Sequence, residues 1–250
     1  MELMYRGTAY HGWQIQPNAL TVQQVVQEAL KHLLSEPVSI TGSGRTDTGV
    51  HARQQVAHFD VPSDLDVKAL CFRLNAMLPT DISITQIYAV PTEAHARFDA
   101  QSRSYEYHLH TFKDPFATDQ SYHFRHPLHL ESMNEAAQQL VAYGEQDYQC
   151  FSRSRTQQNH FRCRISRAQW VRCEDPRGLR LLFRITADRF LRGMVRAVVG
   201  TMLDVGTGRT SLEEFRDIVA SQDRQRAGRS VPAHGLYLTE VTYGEKDTGC

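Results

Sequence analysis

A glycine-rich stretch in the first quarter of the chain places one carboxylate among small residues. It reads Gly42-Ser-Gly-Arg-Thr-Asp-Thr-Gly-Val-His-Ala52, with Asp47 at its centre, Arg45 two residues before it and His51 four after it. The glycines permit backbone angles that are closed to other residues, and they let another chain or a ligand approach closely. A loop of this composition can present one acid to a cleft. The alternative is an ordinary Asp-Gly turn, in which the aspartate bonds its own backbone.

The length and composition are those of a globular protein that acts without a membrane anchor. The chain has 250 residues, 41% of them hydrophobic and 22% charged, which suits one large domain or two of ordinary size. No apolar run reaches the length of a membrane span and the first residues show no signal region, so we expect a cytoplasmic protein. The five cysteines form no Cys-x-x-Cys pair, and we expect reduced thiols.

The net charge of zero conceals an uneven distribution along the chain. Residues 1–150 carry a net charge of −7, whereas residues 151–229 carry +9, and all 17 basic residues of that second block are arginines. The planar guanidinium suits phosphate contact and base stacking better than the ammonium of lysine. A basic segment within a neutral protein is typical of nucleic-acid binders, although a solvated charged face would also give it.

The spacing of apolar residues predicts the elements that must position these groups. The first 90 residues show the order strand, helix, strand, strand, helix, strand, with helices over 21–34 and 66–77 and strands over 55–61 and 82–90. That order is typical of a ferredoxin-like domain. The pairs Thr21 with Gln24 and Ser211 with Glu214 predict capping boxes at helix starts. His108 and His110, or His123, His126 and His129, lack a matching carboxylate or thiolate, so we predict no metal site.

The segment from Asp188 to Asp204 combines arginines with glycines at helical spacing. At about 100° per residue, one side carries Leu191, Met194, Val195, Val198 and Met202, and the other carries Arg189, Arg192, Gly193, Arg196 and Gly200. Glycine in a helix interior costs about 1 kcal/mol relative to alanine. We therefore expect something, a ligand or a sheet edge, to approach the glycine face closely.

Together these motifs carry a resemblance to a known family. Gly44-Arg-Thr-Asp-Thr-Gly-Val-His-Ala52 is similar to the signature loop of the tRNA pseudouridine synthase A family, whose aspartate is catalytic. Further blocks resemble the family in the same order over nearly the whole chain: Tyr10 to Gln16 with Thr21-Val-Gln23, Asn75 to Asp81, His95-Ala-Arg-Phe98, Arg103 to Tyr107, Phe190 to Gly200, and Gly235-Leu-Tyr-Leu238.

The resemblance implies a fold and a reaction. The fold class is α+β, with two ferredoxin-like halves that share a central, mostly antiparallel sheet flanked by helices and that enclose the active-site cleft. We assign residues 1–100 to the first half and 101–250 to the second. Members act as homodimers on the anticodon arm of tRNA, where they isomerise uridine to pseudouridine at positions 38 to 40. No cofactor is implied, and the chain shows no dinucleotide, phosphate-loop or metal motif.

The resemblance also assigns roles to single residues. Asp47 would be the nucleophile that acts after the target base leaves the stack. Arg45 would hold the flipped-out state, Tyr105 would stack on the uracil, and Arg196 would pair with Asp47. Arg103, Arg189 and Arg192 are candidates for further RNA contacts. The attack could fall on the ribose carbon or on the base, which the sequence leaves open.

Two features depart from the family pattern. Asp188 stands where the family more often has asparagine, with Arg192 and Gly193 where it has histidine nearby, and Arg6 replaces a frequent acidic residue. Asp188 brings a negative charge toward the expected site, so the contacts there are open to question.

Two other classes of protein share some of these features. The triplet Asp47-Thr48-Gly49 also occurs in aspartic proteases, and Asp247-Thr248-Gly249 repeats it. The carboxylate dyad of those enzymes requires two such loops, each after a hydrophobic strand, but residues 42–46 form no hydrophobic run and the second copy lies one residue from the chain end. A non-catalytic RNA-binding or tRNA-folding protein would share the arginine block. Such a binder would gain nothing from an acid among the glycines, where it repels phosphate.

Overall fold

The structure is a computed structural model that describes residues 1–61, 65–153 and 160–244. The second Asp-Thr-Gly triplet and Cys250, both used in the sequence argument, lie outside these residues. Over the described ranges, no helix combines the length and the apolar composition that crossing a membrane requires. Cys71, Cys150, Cys163 and Cys173 are free thiols, and burial raises the pKa of Cys150 and Cys163 to about 12.

Helices and strands alternate along the described chain. The α-helices are α1 (Val22–Leu34), α2 (Val67–Met77), α3 (Leu130–Ala142), α4 (Met194–Gly206) and α5 (Leu212–Ser221). The strands are β1 (Glu2–Tyr5), β2 (Thr41–Gly42), β3 (His51–His58), β4 (Ile82–Gln86), β5 (Ala100–His110), β6 (Tyr122–His123), β7 (Glu145–Asp147), β8 (Arg162–Cys173), β9 (Arg180–Ala187) and β10 (Leu236–Tyr243).

The chain divides into two compact units. The first comprises Met1–Gln101 together with the chain from Tyr237 onward, and the second is Ser102–Leu236. The last strand, which we assigned to the second half, packs within the first unit, because Tyr237 and Leu238 pair with His51 and Ala52.

The first unit has the strand order expected of a ferredoxin-like domain. Its sheet runs β4-β1-β3, with β1 antiparallel to both neighbours. The other edge of β3 is shared by β2, antiparallel at the His58 end, and β10, parallel at the His51 end. Helix α1 buries Val22, Val26 and Leu30, and burial of such a side chain contributes about 1.5–3 kcal/mol.

The second unit is an antiparallel sheet in the order β5-β9-β8-β7, with β6 added in parallel at the end of β5. Its core includes Trp170 and Phe183, neighbours on β8 and β9 whose ring centroids lie 4.9 Å apart. Helix α4 is almost wholly buried. The predicted α+β class is thereby confirmed.

The helix starts depend on local side-chain caps. Ser211 and Glu214 form the predicted capping box, since each side chain accepts the other's backbone N–H. At α1 only half of the prediction holds: Thr21 accepts the N–H of Gln24, but the Gln24 side chain donates to Glu28 instead. Helix α2 begins at Asp66, whose carboxylate accepts two backbone N–H groups.

Candidate active site

The loop that carries Asp47 connects β2 to β3. Strand β3 begins at His51, four residues earlier than the apolar alternation predicts. His51 and Ala52 are buried because they pair with Tyr237, Leu238 and Tyr5, all distant in sequence. The strand start is therefore set by tertiary pairing, and it anchors the C-terminal end of the loop close to Asp47.

The residue before Asp47 is held from two sides. The Thr46 hydroxyl lies 2.8 Å from the Tyr5 hydroxyl, and the Thr46 carbonyl accepts the N–H of Trp13 at 3.4 Å. Gly12 lies so close that an added Cβ would overlap this carbonyl, and its φ of +83° also requires glycine. The carbonyls of Gly12 and Trp13 accept the first N–H groups of α1. The loop at residues 10–16 thus connects the start of α1 to the loop that carries Asp47.

The residues that follow Asp47 are also held by hydrogen bonds. The N–H of Val50 donates to the Asp47 carbonyl at 3.1 Å, and Gly49, at φ +79°, donates to the Tyr10 carbonyl at 3.2 Å. The buried ring of His51 accepts the N–H of Gly7 at 3.0 Å and stacks on Tyr237 at 4.6 Å. Both flanks of Asp47 are therefore positioned by backbone contacts.

The N-terminal half of the loop rests on a buried glutamine. The Gln55 side chain accepts from the Ser43 hydroxyl at 2.6 Å and donates to the Gly44 carbonyl at 3.0 Å, and Ser43 and Gln55 are both buried. Sequence reasoning missed Gln55 and Tyr5 as supports of the site. The signal for Gln55 was a polar residue at the start of an apolar alternation, since a buried polar group must find partners.

Two of the three glycines at positions 42, 44 and 49 have a structural reason to be glycine. Gly49 needs its positive φ, and Gly42 lies against the Trp13 indole, which an added Cβ would overlap. Gly44 has ordinary φ and no described atom within 4 Å of an added Cβ. Arg45 and Thr48 are exposed and Asp47 is half-buried. The loop thus carries a half-buried carboxylate and, two residues earlier, an exposed arginine.

Tyr105 lies on β5, on the same face of the strand as two buried side chains and at the more exposed end of that row of side chains. Tyr107 and Leu109, two and four residues further on the same face, are fully buried, whereas Tyr105 and Arg103 are half-buried. The Tyr105 ring meets the edge of Phe190 with centroids 5.1 Å apart and planes at 87°. This contact orients the ring while leaving part of it accessible.

The segment from Asp188 to Gly193 is not helical, which corrects the predicted helix face for Arg189, Arg192 and Gly193. Helix α4 begins at Met194, and Gly193 is its N-cap residue in the left-handed conformation, with φ of +70°. A left-handed residue cannot continue a right-handed helix. Gly193 is therefore glycine because of its backbone angle, and the helical wheel does not apply before it.

The carboxylate of Asp188 is used within the turn that precedes α4. It accepts the N–H groups of Arg164 at 2.9 Å and Arg189 at 2.6 Å, and the Asp188 carbonyl accepts from Arg103 Nη1 at 2.9 Å. Asparagine, frequent at this position in the family, carries the same acceptor oxygen. This departure from the family pattern thus keeps the local hydrogen bonds.

Arg196 and Gly200 lie under a segment of the same chain. An added Cβ at Gly200 would overlap the carbonyl oxygen of Arg229. The Arg196 Nε donates to the Val231 carbonyl at 2.7 Å, and the Val231 N–H donates to the Arg196 carbonyl at 3.1 Å. The expected close approach exists at Gly200, but the chain's own residues 228–231 make it, not a ligand or a sheet edge.

The remaining predicted arginines have local contacts. Arg189 lies 3.0 Å from the His160 ring, and the Arg192 carbonyl accepts the N–H of Arg153 at 2.8 Å, with the Arg192 side chain exposed. In the second unit the structure thus brings together Arg103, Asp188 and Arg189 near the start of β5, where Tyr105 contacts Phe190. In the first unit, Arg45 and Asp47 share one loop. In the described ranges, no three His, Cys, Asp or Glu side chains come together as metal ligands.

Comparison with known proteins identifies the class. The sequence model of the family described as tRNA pseudouridine synthase matches residues 3–99 and 136–244. The chain belongs to this family, and the predicted enzyme class, an isomerase, is confirmed.

Curated relatives match over nearly their full lengths. The tRNA pseudouridine synthase A of Porphyromonas gingivalis is 50% identical over 243 residues, which cover 96% of this chain and 95% of the relative. The protein of the same name from Parabacteroides distasonis is 47% identical, covering 98% and 95%. That of Bacillus subtilis is 38% identical, covering 96% and 97%.

Proposed function

We propose that this protein converts uridine to pseudouridine at positions 38, 39 and 40 of the tRNA anticodon stem-loop, with Asp47 as the nucleophile that acts after the base has flipped out. Family membership and the names of the relatives support the tRNA substrate. The observation that carries the role of Asp47 is its setting: a half-buried carboxylate in a loop whose residues on both sides are held by hydrogen bonds to Tyr5 of β1 and to Tyr10 and Trp13 of the loop at residues 10–16.

The proposed reaction needs no cofactor. The bond between uracil N1 and ribose C1′ breaks, the base turns, and a new bond joins C5 to C1′. The hydrogen on C5 leaves as a proton and N1 gains one, so nothing is oxidised and no group is transferred. The Asp47 carboxylate can attack C1′, as in retaining glycosidases, or the base ring, and either route requires a fixed carboxylate.

The partners of Asp47 belong to the same proposal. Arg45, two residues away and exposed, would hold the flipped-out state, and Arg196 would pair with Asp47. The Nε–Val231 bond restricts the Arg196 side chain, as a positioning role requires. Arg103, Arg189 and Arg192 would contact phosphates. We further propose a homodimer and a cytoplasmic location, to be checked by light scattering and by cell fractionation.

The proposal is tested by mapping pseudouridine in tRNA from cells with and without the protein. We expect loss of pseudouridine at positions 38 to 40 on deletion, and its formation in vitro when the purified protein meets unmodified tRNA. Unchanged tRNA from the deletion strain, together with tight tRNA binding in vitro, would favour the non-catalytic RNA-binding alternative.

Tyr105 is expected to act through its ring and not through its hydroxyl group. A Tyr105→Phe variant keeps the stacking surface and the edge contact with Phe190, so we expect tRNA affinity within a few-fold of the wild type. Tyr105→Leu should lower kcat/KM about 5- to 150-fold, because stacking of a base on an aromatic ring contributes about 1–3 kcal/mol. Steady-state kinetics on an anticodon-arm RNA measures both variants. Complete loss of RNA binding in Tyr105→Phe would exclude stacking as its role.

A further inference from the structure

The second unit has an open groove that contains none of the predicted site residues. It has a volume of about 320 Å³ and is lined by Tyr122, His123, Phe124, Arg125, His126 and Arg209. We refer to it as the aromatic groove. Among the described residues that line it, every side chain is aromatic, basic or both. A surface of rings and guanidinium groups is suited to a nucleotide, which offers a flat base and an anionic phosphate.

The wall of the groove is held in place by β5. Tyr122 and His123 pair with Leu109 and His110, and the N–H of Phe124 donates to the His110 carbonyl at 2.8 Å. The buried His110 ring lies parallel to that of His123, with centroids 5.2 Å apart, and its Nδ1 is 2.8 Å from the Ser121 hydroxyl. The groove is thus preformed on the edge of a buried strand, which lowers the cost of ordering it on binding.

The rings of the groove leave surface open for stacking. Tyr122 and Phe124 have centroids 5.8 Å apart with planes at 60°, and Phe124 and His126 have centroids 5.4 Å apart with planes at 65°. These tilted contacts fix the rings without covering their faces as parallel stacking would. Tyr122 and Phe124 are half-buried and His126 is exposed. Unpaired RNA bases commonly bind to aromatic surfaces of this kind.

The two arginines supply the charge. Arg125 and Arg209 are both exposed at the groove. Arg209 lies 3.4 Å from the Asp204 carboxylate, but exposed pairs of this kind contribute at most about 1 kcal/mol. A phosphate group can compete for such an arginine, because two of its oxygens can accept hydrogen bonds from one guanidinium.

We propose that the aromatic groove binds a nucleotide of the substrate RNA other than the one that reacts. Leu109, which pairs with Tyr122, lies four residues beyond Tyr105, or about 13 Å along β5. A base stacked on Tyr105 therefore does not reach the groove. The expected occupant is another nucleotide of the same RNA. This inference rests on the proposed function in that it takes tRNA as the ligand.

The decisive experiment compares two double variants that lose the same charge from the same unit. Arg125→Gln with Arg209→Gln removes the groove arginines, and Arg172→Gln with Arg216→Gln removes two exposed arginines elsewhere. We expect the groove variant to raise the Kd for unmodified tRNA about 10-fold and to reduce the salt slope of log Kd by about 2, whereas the control stays within about 3-fold. At saturating tRNA, kcat of the groove variant should stay within 2-fold of the wild type.

A second pair of variants separates stacking from charge and from misfolding. Phe124→Leu should weaken tRNA binding about 5- to 10-fold, and Phe124→Tyr should restore it, because the tyrosine keeps the ring. Thermal melting confirms that both are folded. Cross-linking of 4-thiouridine-labelled tRNA should join the RNA to the peptide that contains residues 122–126.

Several outcomes would overturn the proposal. Equal losses of tRNA affinity in the two double arginine variants would indicate general attraction of RNA to a basic surface. Competition by uridine monophosphate at the groove, with tRNA affinity unchanged by the variants, would indicate a mononucleotide site, and a change in oligomeric state alone would indicate a protein contact. Since affinity is measured without turnover, these results stand even if no pseudouridine forms, and wild-type turnover tests the proposed function separately.

Discussion

An Asp47→Asn variant is expected to form no measurable pseudouridine while it binds tRNA within a few-fold of the wild type. Asparagine keeps the size of the side chain but lacks the negative charge and the nucleophilicity of the carboxylate, so turnover should fall on the order of 10⁴-fold or more. Affinity should hold, because removing an acid does not weaken phosphate contacts. Single-turnover pseudouridine formation and equilibrium tRNA binding measure the two effects.

Thr48→Ala provides the matched control. Thr48 is exposed, adjacent to Asp47 and outside the proposed machinery, so its substitution should leave turnover within about 3-fold. Both variants should keep the melting temperature of the wild type. Pseudouridine formed by Asp47→Asn at near-normal rates would contradict the assignment of the nucleophile.

A Gly200→Ala variant is expected to destabilise the second unit strongly. Alanine favours a helix interior by about 1 kcal/mol, but the added methyl group would overlap the Arg229 carbonyl oxygen. Relief requires moving residues 228–231, which are bonded to α4 through Thr201 and Arg196. Overpacking of a closely packed site costs about 1–3 kcal/mol and occasionally more, so we expect a net loss of about 2 kcal/mol and a Tm lower by about 4–8 °C.

The matched glycine is Gly44. No described atom lies within 4 Å of an added Cβ there, so Gly44→Ala should change Tm by less than about 2 °C. In Gly200→Ala, a shift of residues 228–231 should also release the Arg196 side chain, so kcat should fall with stability. Calorimetry and kinetics on both variants test this. A Gly200→Ala protein as stable as Gly44→Ala would mean that residues 228–231 adapt freely.

Local patterns in the sequence were sufficient for much of the architecture. The capping box at Ser211 and the helices over 21–34 and 66–77 each concern contacts within a few residues. Such contacts follow from spacing alone, because helix and strand periods bring nearby residues to one face. The Asp47 loop was equally visible, since its glycines and carboxylate are contiguous and carry the family resemblance.

The tertiary structure decided what depends on distant partners. Whether Gly200 faces a ligand or the chain's own carbonyl, whether β3 begins at His51, and which unit holds β10 are all set by residues tens of positions away. A helical wheel also cannot show that α4 begins only after Gly193. The wheel assumes helical backbone angles throughout, whereas Gly193 has a left-handed φ of +70°. The chain alone thus predicted most of the elements and pointed to Asp47 as the candidate acid. Only folding determined which side chains support that acid, since a periodicity describes a residue's face but not what packs against it.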